Sequence, residues 1–222
     1  MIRMFLDIET LPGPESLKEA IAADIAPPGN LTKLETIQKW REEKKPALVE
    51  EKYRKTALEG HWGRIFCVAY IIEAVNASKE TPHDVAQGVI SGEEPAVLQS
   101  FWELARDVGQ FVGFNIMDFD LKFLMQRSII HGVKPTNQPS FARYRSDHIY
   151  DVMCEWLQWD NRDHIRLDTL ARALGVPSPK EGMDGSQVYD YYLAGRLEEI
   201  CRYCLRDVHA VRDIYRKMTF QA

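Results

Sequence analysis

A chain of 222 residues with 45% hydrophobic and 27% charged residues has the balance of a folded globular protein with one sizeable core, or at most two small ones. Its longest apolar run, Phe66 to Ile72, suits a buried strand and is far too short to span a membrane; Asp7 interrupts the first apolar stretch, so neither a signal peptide nor a membrane is expected, and the location reads as cytoplasmic. The formal net charge of −5 weighs against a nucleic-acid binder that works through a basic patch, although a site built of carboxylates for metal ions is itself acidic until the ions bind.

Residues 2–8 read as a first strand, stopped by Leu11-Pro12-Gly13-Pro14. If that segment is extended, Asp7 and Glu9 point to the same face and repel each other, unless something positive sits between them. The stretch 15–60 is polar, with one or two solvent-facing helices expected over 32–58 and a break near Pro46. Its basic residues, among them Lys39, Arg54 and Lys55, alternate with Glu43, Glu50 and Glu51, which predicts a salt-bridged solvent face rather than a nucleic-acid stripe. Trp40, Tyr53 and Trp62 are assigned to helix packing in preference to base stacking.

Gly63 to Ile72 is the clearest strand, and Asp84 to Ile90 a third. Pro95 to Arg106 has helical period with proline in its first turn. A short strand at Phe111–Phe114 leads to Asp118, expected to cap a helix running through Ile130. A loop at 134–147 precedes helices at Ile149–Trp159 and Leu167–Leu174, a break at Val176–Pro179, a short helix at Ser186–Leu193 and a long one at Arg196–Met218. Early strands followed by alternating helices predict an α/β fold with a mixed sheet.

Several acids fall where bare carboxylates are costly. In the last helix Asp207 borders the apolar stripe formed by Ile200, Cys204, Val208 and Val211, and Tyr203 is its neighbour one turn earlier. Asp120 lies in the first turn of the helix after the fourth strand. Each has an ordinary structural explanation alone. Together with Asp7 and Glu9 they make four carboxylates from three distant elements, which can meet only around cations; hard oxygen donors favour Mg²⁺ or Mn²⁺. The Cys201-x-x-Cys204 pair falls mid-helix without a second Cys/His pair nearby, so it reads as core packing.

These residues resemble the motifs of the DEDD 3′–5′ exonuclease superfamily: DxE at Asp7-Ile8-Glu9, NxxxFD from Asn115 to Asp120, and YxxxD from Tyr203 to Asp207. Arg202 stands where the histidine version of the third motif would begin, so the chain is similar to the tyrosine branch, DEDDy. A closer likeness is to the predicted 3′–5′ exonucleases related to the exonuclease domain of family B DNA polymerases, carried by Pro27-Pro28-Gly29-Asn30, Gly63-Arg64-Ile65 and Asp184-Gly185-Ser186-Gln187-Val188-Tyr189-Asp190.

The resemblance implies a ribonuclease H-like sheet flanked by helices, with a helical insertion (about 15–60) between the first two strands of a single domain over residues 1–222. It implies two ions, Mg²⁺ or Mn²⁺, held by Asp7, Glu9, Asp120 and Asp207, with Tyr203 positioning a water for in-line attack. Asn115 and Phe119 would contact the terminal nucleotide, with capping and core packing equally open. Asp151 is expected to play a structural part near the site. Lys180 and Arg64 are weighed as phosphate contacts and read as solvated. The implied activity is release of 5′-mononucleotides from the 3′ end of single-stranded DNA, with a polymerase in trans as a partner. The alternatives are a 3′–5′ exoribonuclease, or a polymerase- or phage-associated nucleic-acid-binding module with little turnover.

Overall fold

The structure, a computed structural model, describes residues 1–75, 83–160, 162–178 and 182–221; Lys180 lies outside them. The chain divides into two compact units, residues 1–9 with 65–222, and residues 10–64.

The larger unit is an α/β structure built on a mixed five-stranded sheet of order β3-β2-β1-β4-β5. Its strands are β1 (Ile2–Leu11), β2 (Arg64–Ala74), β3 (His83–Ser91), β4 (Val108–Gly113) and β5 (Ile149–Asp151). β2 and β3 run antiparallel, whereas β1, β4 and β5 are parallel. The fold therefore places β1 at the centre, where both its faces are covered.

Alternation along β1 divides its side chains between two layers. Met4, Leu6 and Ile8 belong to a buried cluster with Leu98, Phe101 and Trp102 of α4 (Glu94–Ala105) and Leu121 and Leu124 of α5 (Asp120–His131). Arg3, Phe5, Asp7 and Glu9 point the other way, toward α9 (Leu197–Met218). There the Phe5 ring meets Tyr215 edge-on at 5.4 Å. α9 buries Ile200, Tyr203, Cys204, Asp207, Val208, Val211, Ile214 and Tyr215 along one stripe, which is why an apolar 3.6-residue period carries it across the sheet.

Among the described residues this unit also holds α6 (Val152–Trp156), α7 (Leu167–Ala173) and α8 (Val188–Leu193), the last preceded by a 3₁₀ turn at Gly185–Gln187 that Asp184 caps. Two expectations are corrected here. Ile149–Trp159 is not one helix: its first three residues form β5, and α6 starts only at Val152. A three-residue strand has no alternation to reveal it, and Asp151 ends it by capping α6 through the N–H groups of Met153 and Cys154. Asp118 does not cap α5, which begins at Asp120; its carboxylate instead accepts from Arg143 at 2.8 Å.

The smaller unit holds α1 (Leu17–Asp24), α2 (Leu34–Glu43) and α3 (Lys45–Lys55), closed by a 3₁₀ turn at Thr56–Leu58. The break falls where the sequence places it, with Pro46 in the first turn of α3. α1 is not anticipated, because it buries no residue and so shows no apolar stripe. Ion pairs Lys39–Glu43, Arg54–Glu50 and Lys55–Glu51 form the expected solvent face. Tyr53 is buried and its hydroxyl donates to the Gly13 carbonyl at 2.9 Å, but Trp62 sits half-exposed in a turn rather than packed in a helix.

Candidate active site

Asp7 and Glu9 occupy alternate positions near the end of β1, on the face that α9 covers. Asp120 reaches them from the first turn of α5: its Oδ1 accepts the Ile8 backbone N–H at 3.0 Å, between the two acids. This one hydrogen bond fixes the start of α5 against the central strand. Asp207 lies one turn after Tyr203 on α9, and the Tyr203 hydroxyl donates to its carboxylate. Asp120 is 2% exposed, and Glu9, Asp207 and Tyr203 are also buried.

The loop before α5 is set by Asp151. Its Oδ1 accepts from the backbone N–H of Asn115 at 3.1 Å and its Oδ2 from that of Met117 at 3.1 Å, in addition to its two bonds into α6. Asn115 adopts φ 58°, a left-handed conformation that asparagine tolerates better than most residues. Gly113 is needed just before it, since a Cβ there would lie 2.7 Å from the Ile116 Cβ. Asp151 thus has the structural part expected of it, turning the chain from β4 into α5 so that Asp120 meets β1.

The electrostatics follow from packing these acids against one another. Burial and the charges of Asp120, Asp207 and Glu9 push the Asp7 carboxyl well above the usual carboxylate range. Burial, Asp207 and Asp120 do the same to Glu9. Asp120 is pushed up to about 7 by burial and by Asp151 and Asp207, against the lowering effect of its backbone hydrogen bonds. Burial and the charges of Asp207, Glu9 and Asp7 raise the Tyr203 hydroxyl, so it stays protonated. Among the described residues, no lysine or arginine forms an ion pair with Asp7, Glu9 or Asp120.

Ligand atoms of Asp7, Glu9 and Cys204 lie within 4.8 Å of one another. The two carboxylates are the hard oxygen donors that Mg²⁺ and Mn²⁺ take, so the donor set fits such ions. The thiol differs: burial raises its pKa strongly, and its S–H contacts the Asp7 carbonyl and Oδ2, each at 3.4 Å. Cys204 is therefore a neutral neighbour that steadies Asp7. It also hydrogen-bonds with Cys67, which bonds Cys201 in turn, so the Cys-x-x-Cys is part of a packed thiol group between β2 and α9. The sequence pattern reveals the packing of Cys204 but not its bond to Asp7, which depends on the crossing of helix and strand.

A cavity of about 440 Å³ opens beside Tyr203 and Asp207, lined also by Phe114, Asn115, Met153 and His164. Phe119 is not on its wall; it packs against Phe123 with ring centroids 5.6 Å apart. His164 is a wall residue that no motif points to.

A mixed sheet with helices on both faces and buried acids on its central strand is the ribonuclease H-like class of fold. Among solved structures, the family B DNA polymerase from the hyperthermophilic archaeon Pyrobaculum calidifontis is similar, with a TM-score of 0.62 at 16% identity over 99% of this chain and 24% of that one. The chain thus spans about a quarter of the length of that polymerase. The chain belongs to the family of predicted 3′–5′ exonucleases related to the exonuclease domain of PolB, whose model matches residues 58–221. That match includes Asn115–Asp120 and Tyr203–Asp207 and starts after Asp7-Ile8-Glu9. No curated protein matches the chain. No helix among the described residues is long and apolar enough to cross a membrane.

Proposed function

We propose that this chain is a two-metal-ion 3′–5′ exonuclease that removes 5′-mononucleotides from the 3′ end of single-stranded DNA, acting as one domain over residues 1–222 with its insertion at about 15–60. The observation that carries this reading is the convergence of Asp7 and Glu9 on β1 with Asp120, whose Oδ1 accepts the Ile8 N–H between them; these acids raise one another's pKa, a burden that cations would relieve. Asp7, Glu9, Asp120 and Asp207 would hold Mg²⁺ or Mn²⁺. Such ions, when bound, make water acidic enough to attack near neutral pH and offset the charge of the phosphodiester.

The protein's own residues supply position. Tyr203 keeps its proton, so it cannot serve as a base; its hydroxyl holds the attacking water in line with the terminal phosphodiester. The water oxygen bonds to phosphorus as the bond to the 3′ oxygen of the preceding nucleotide breaks. The cavity beside Asn115 receives the terminal nucleoside, and Phe119 braces the helix start from which Asp120 projects. A proofreading role would be exercised with a polymerase in trans.

The test is a single-stranded DNA oligonucleotide, labelled at its 5′ end, with Mg²⁺ or Mn²⁺ added and then chelated. The expected products are 5′-mononucleotides and a ladder of shortened strands that stops on chelation. Activity that survives Asp7→Ala, or no activity with either ion, would overturn the mechanism. A matched RNA strand run in parallel decides the sugar, and preferential hydrolysis of RNA would replace the DNA reading.

A further inference from the structure

The cavity at Tyr203 and Asp207 is not isolated. A second one, of about 320 Å³, shares Asn115, Met153 and His164 with it and extends away from the acids to Arg143 and Trp159. The outer cavity has an unusual rim. The Trp159 ring packs against Tyr144 with centroids 5.2 Å apart, and Tyr144 is 69% exposed. Both residues, with Gln158, have positive φ values of 62°, 64° and 50°. Bulky side chains rarely adopt that conformation, and at functional sites the surroundings hold it in place. Here the Trp159 indole N–H donates to Glu155, which fixes the ring. Of the positive-φ non-glycine residues among the described ones, Asn115 and Trp159 line these cavities, and Tyr144 reaches the outer one through its ring contact with Trp159.

The charge of the outer cavity indicates which part of a ligand it takes. Its carboxylates are Asp118, Asp160 and Asp163; Asp118 is paired with Arg143 and Asp160 with Arg162. The arginine of this wall, Arg143, is thus already engaged rather than free for a phosphate, while the carboxylate oxygens can accept hydrogen bonds from amino groups. An uncharged base meets both conditions, with its face on an aromatic ring and its phosphate turned to solvent.

We propose that Tyr144 and Trp159 form a stacking platform for the second base from the 3′ end, with His164 standing between the two nucleotide positions. The outer ring pair would then govern how the strand, rather than its last nucleotide alone, is held. The inference rests on the exonuclease reading and deepens it.

The experiment compares an eight-nucleotide single strand with a nucleoside 5′-(p-nitrophenyl) phosphate, which fills only the inner position. For each protein the ratio of kcat/KM on the strand to kcat/KM on the small ester is measured. Tyr144→Ala is expected to lower that ratio about tenfold, mainly through KM on the strand, and Tyr144→Phe to restore it. Tyr144 is exposed, so its loss leaves the core intact; Trp159→Leu repeats the test from the other ring. An unchanged ratio in both variants, or a Tyr144→Phe variant as impaired as Tyr144→Ala, overturns the platform while the wild-type hydrolysis leaves the exonuclease reading standing. If the wild type hydrolyses neither compound with Mn²⁺, both fall together.

Discussion

The same strand and the same helix carry two buried acidic clusters that are treated in opposite ways. At one end of β1, Arg3 lies 3.8 Å from Glu73, and Arg216 near the end of α9 reaches the other oxygen of the same carboxylate. Arg3 also donates to Gln110 and lies over the Tyr215 ring at 4.6 Å. Glu73 is fully buried, and two arginines offset its charge, although only its Oε1 accepts a hydrogen bond. Farther along the strand from Arg3, Asp7 and Glu9 face Asp120 and Asp207, and the carboxylates that act on them raise their pKa. A fold that places arginines against one buried carboxylate sets Asp7, Glu9 and Asp120 among other acids. A structural acid is buried with a cation from the chain itself, whereas on the proposed reading this group takes its cation from solution.

The largest difference is expected from removing one acid at each end. Asp7→Asn should lower turnover about 10³-fold or more, since several kcal/mol of charge stabilisation go with the ions. Its fold should remain intact by circular dichroism. Glu73→Ala should do the reverse: it leaves Arg3 buried without its counter-ion and costs about 3–5 kcal/mol in a denaturant melt, while activity per folded molecule persists. If Asp7→Asn unfolds the protein, or Glu73→Ala inactivates the folded enzyme, the two clusters are not of different kinds.

The next effect is on pH. Asp120 has an ordinary carboxyl pKa near 3.8 when unfolded and about 7 when folded. The native state then holds more protons than the unfolded state between those values, so stability falls as pH rises through that window. Metal-free protein should melt lower at pH 8 than at pH 5, and Mn²⁺ should close most of the gap. Asp120→Asn keeps an oxygen for the Ile8 N–H and removes the charge. It should stabilise the metal-free protein at pH 8 by roughly 2–4 kcal/mol. A melting temperature in EDTA that does not depend on pH would show that the acids do not burden one another.

A smaller change is expected from Tyr203→Phe. The ring and its packing stay, and only the hydroxyl that touches Asp207 goes. Turnover should fall about 10–10²-fold, while Mn²⁺ affinity, read by electron paramagnetic resonance, should move less than twofold. Loss of Mn²⁺ binding would transfer Tyr203 from positioning water to holding the site together.

The contrast between the clusters also marks how far the sequence can be read. The open cluster is legible because its residues break local rules: two acids on one face of an apolar strand, and Asp207 at the edge of a helix stripe. The paired cluster is silent, since Arg3, Glu73 and Arg216 look like ordinary polar residues until the sheet brings β1 beside β2. The helix α9 and strands β2 and β3 are visible through long periodic runs, with ends within about two residues of those expected. β5 escapes because three residues have no period. The start of α5 moves from Asp118 to Asp120 because the tie to Ile8, made across 112 residues, decides it rather than local capping. The Tyr144–Trp159 rim is invisible for a similar reason: neither backbone strain nor a tilted ring pair 15 residues apart leaves a pattern.

Arg216 gives the finest test of the comparison, because it removes half of the answer to Glu73. The two arginines are not equivalent. Arg3 is buried and anchored by Gln110 and Tyr215, whereas Arg216 is partly open to solvent and belongs to the last turn of α9. In the Arg216→Met variant the methylene stem that covers Glu73 is largely kept, and Arg3 still neutralises the carboxylate. The expected cost is about 1–2 kcal/mol, the scale of one charge-assisted hydrogen bond and well below that of losing Glu73. A cost equal to that of Glu73→Ala would mean that both arginines are needed to bury one carboxylate. The unpaired state of Asp7, Glu9 and Asp120 would then be costlier still in the absence of ions, and the stabilisation by Mn²⁺ should rise in proportion.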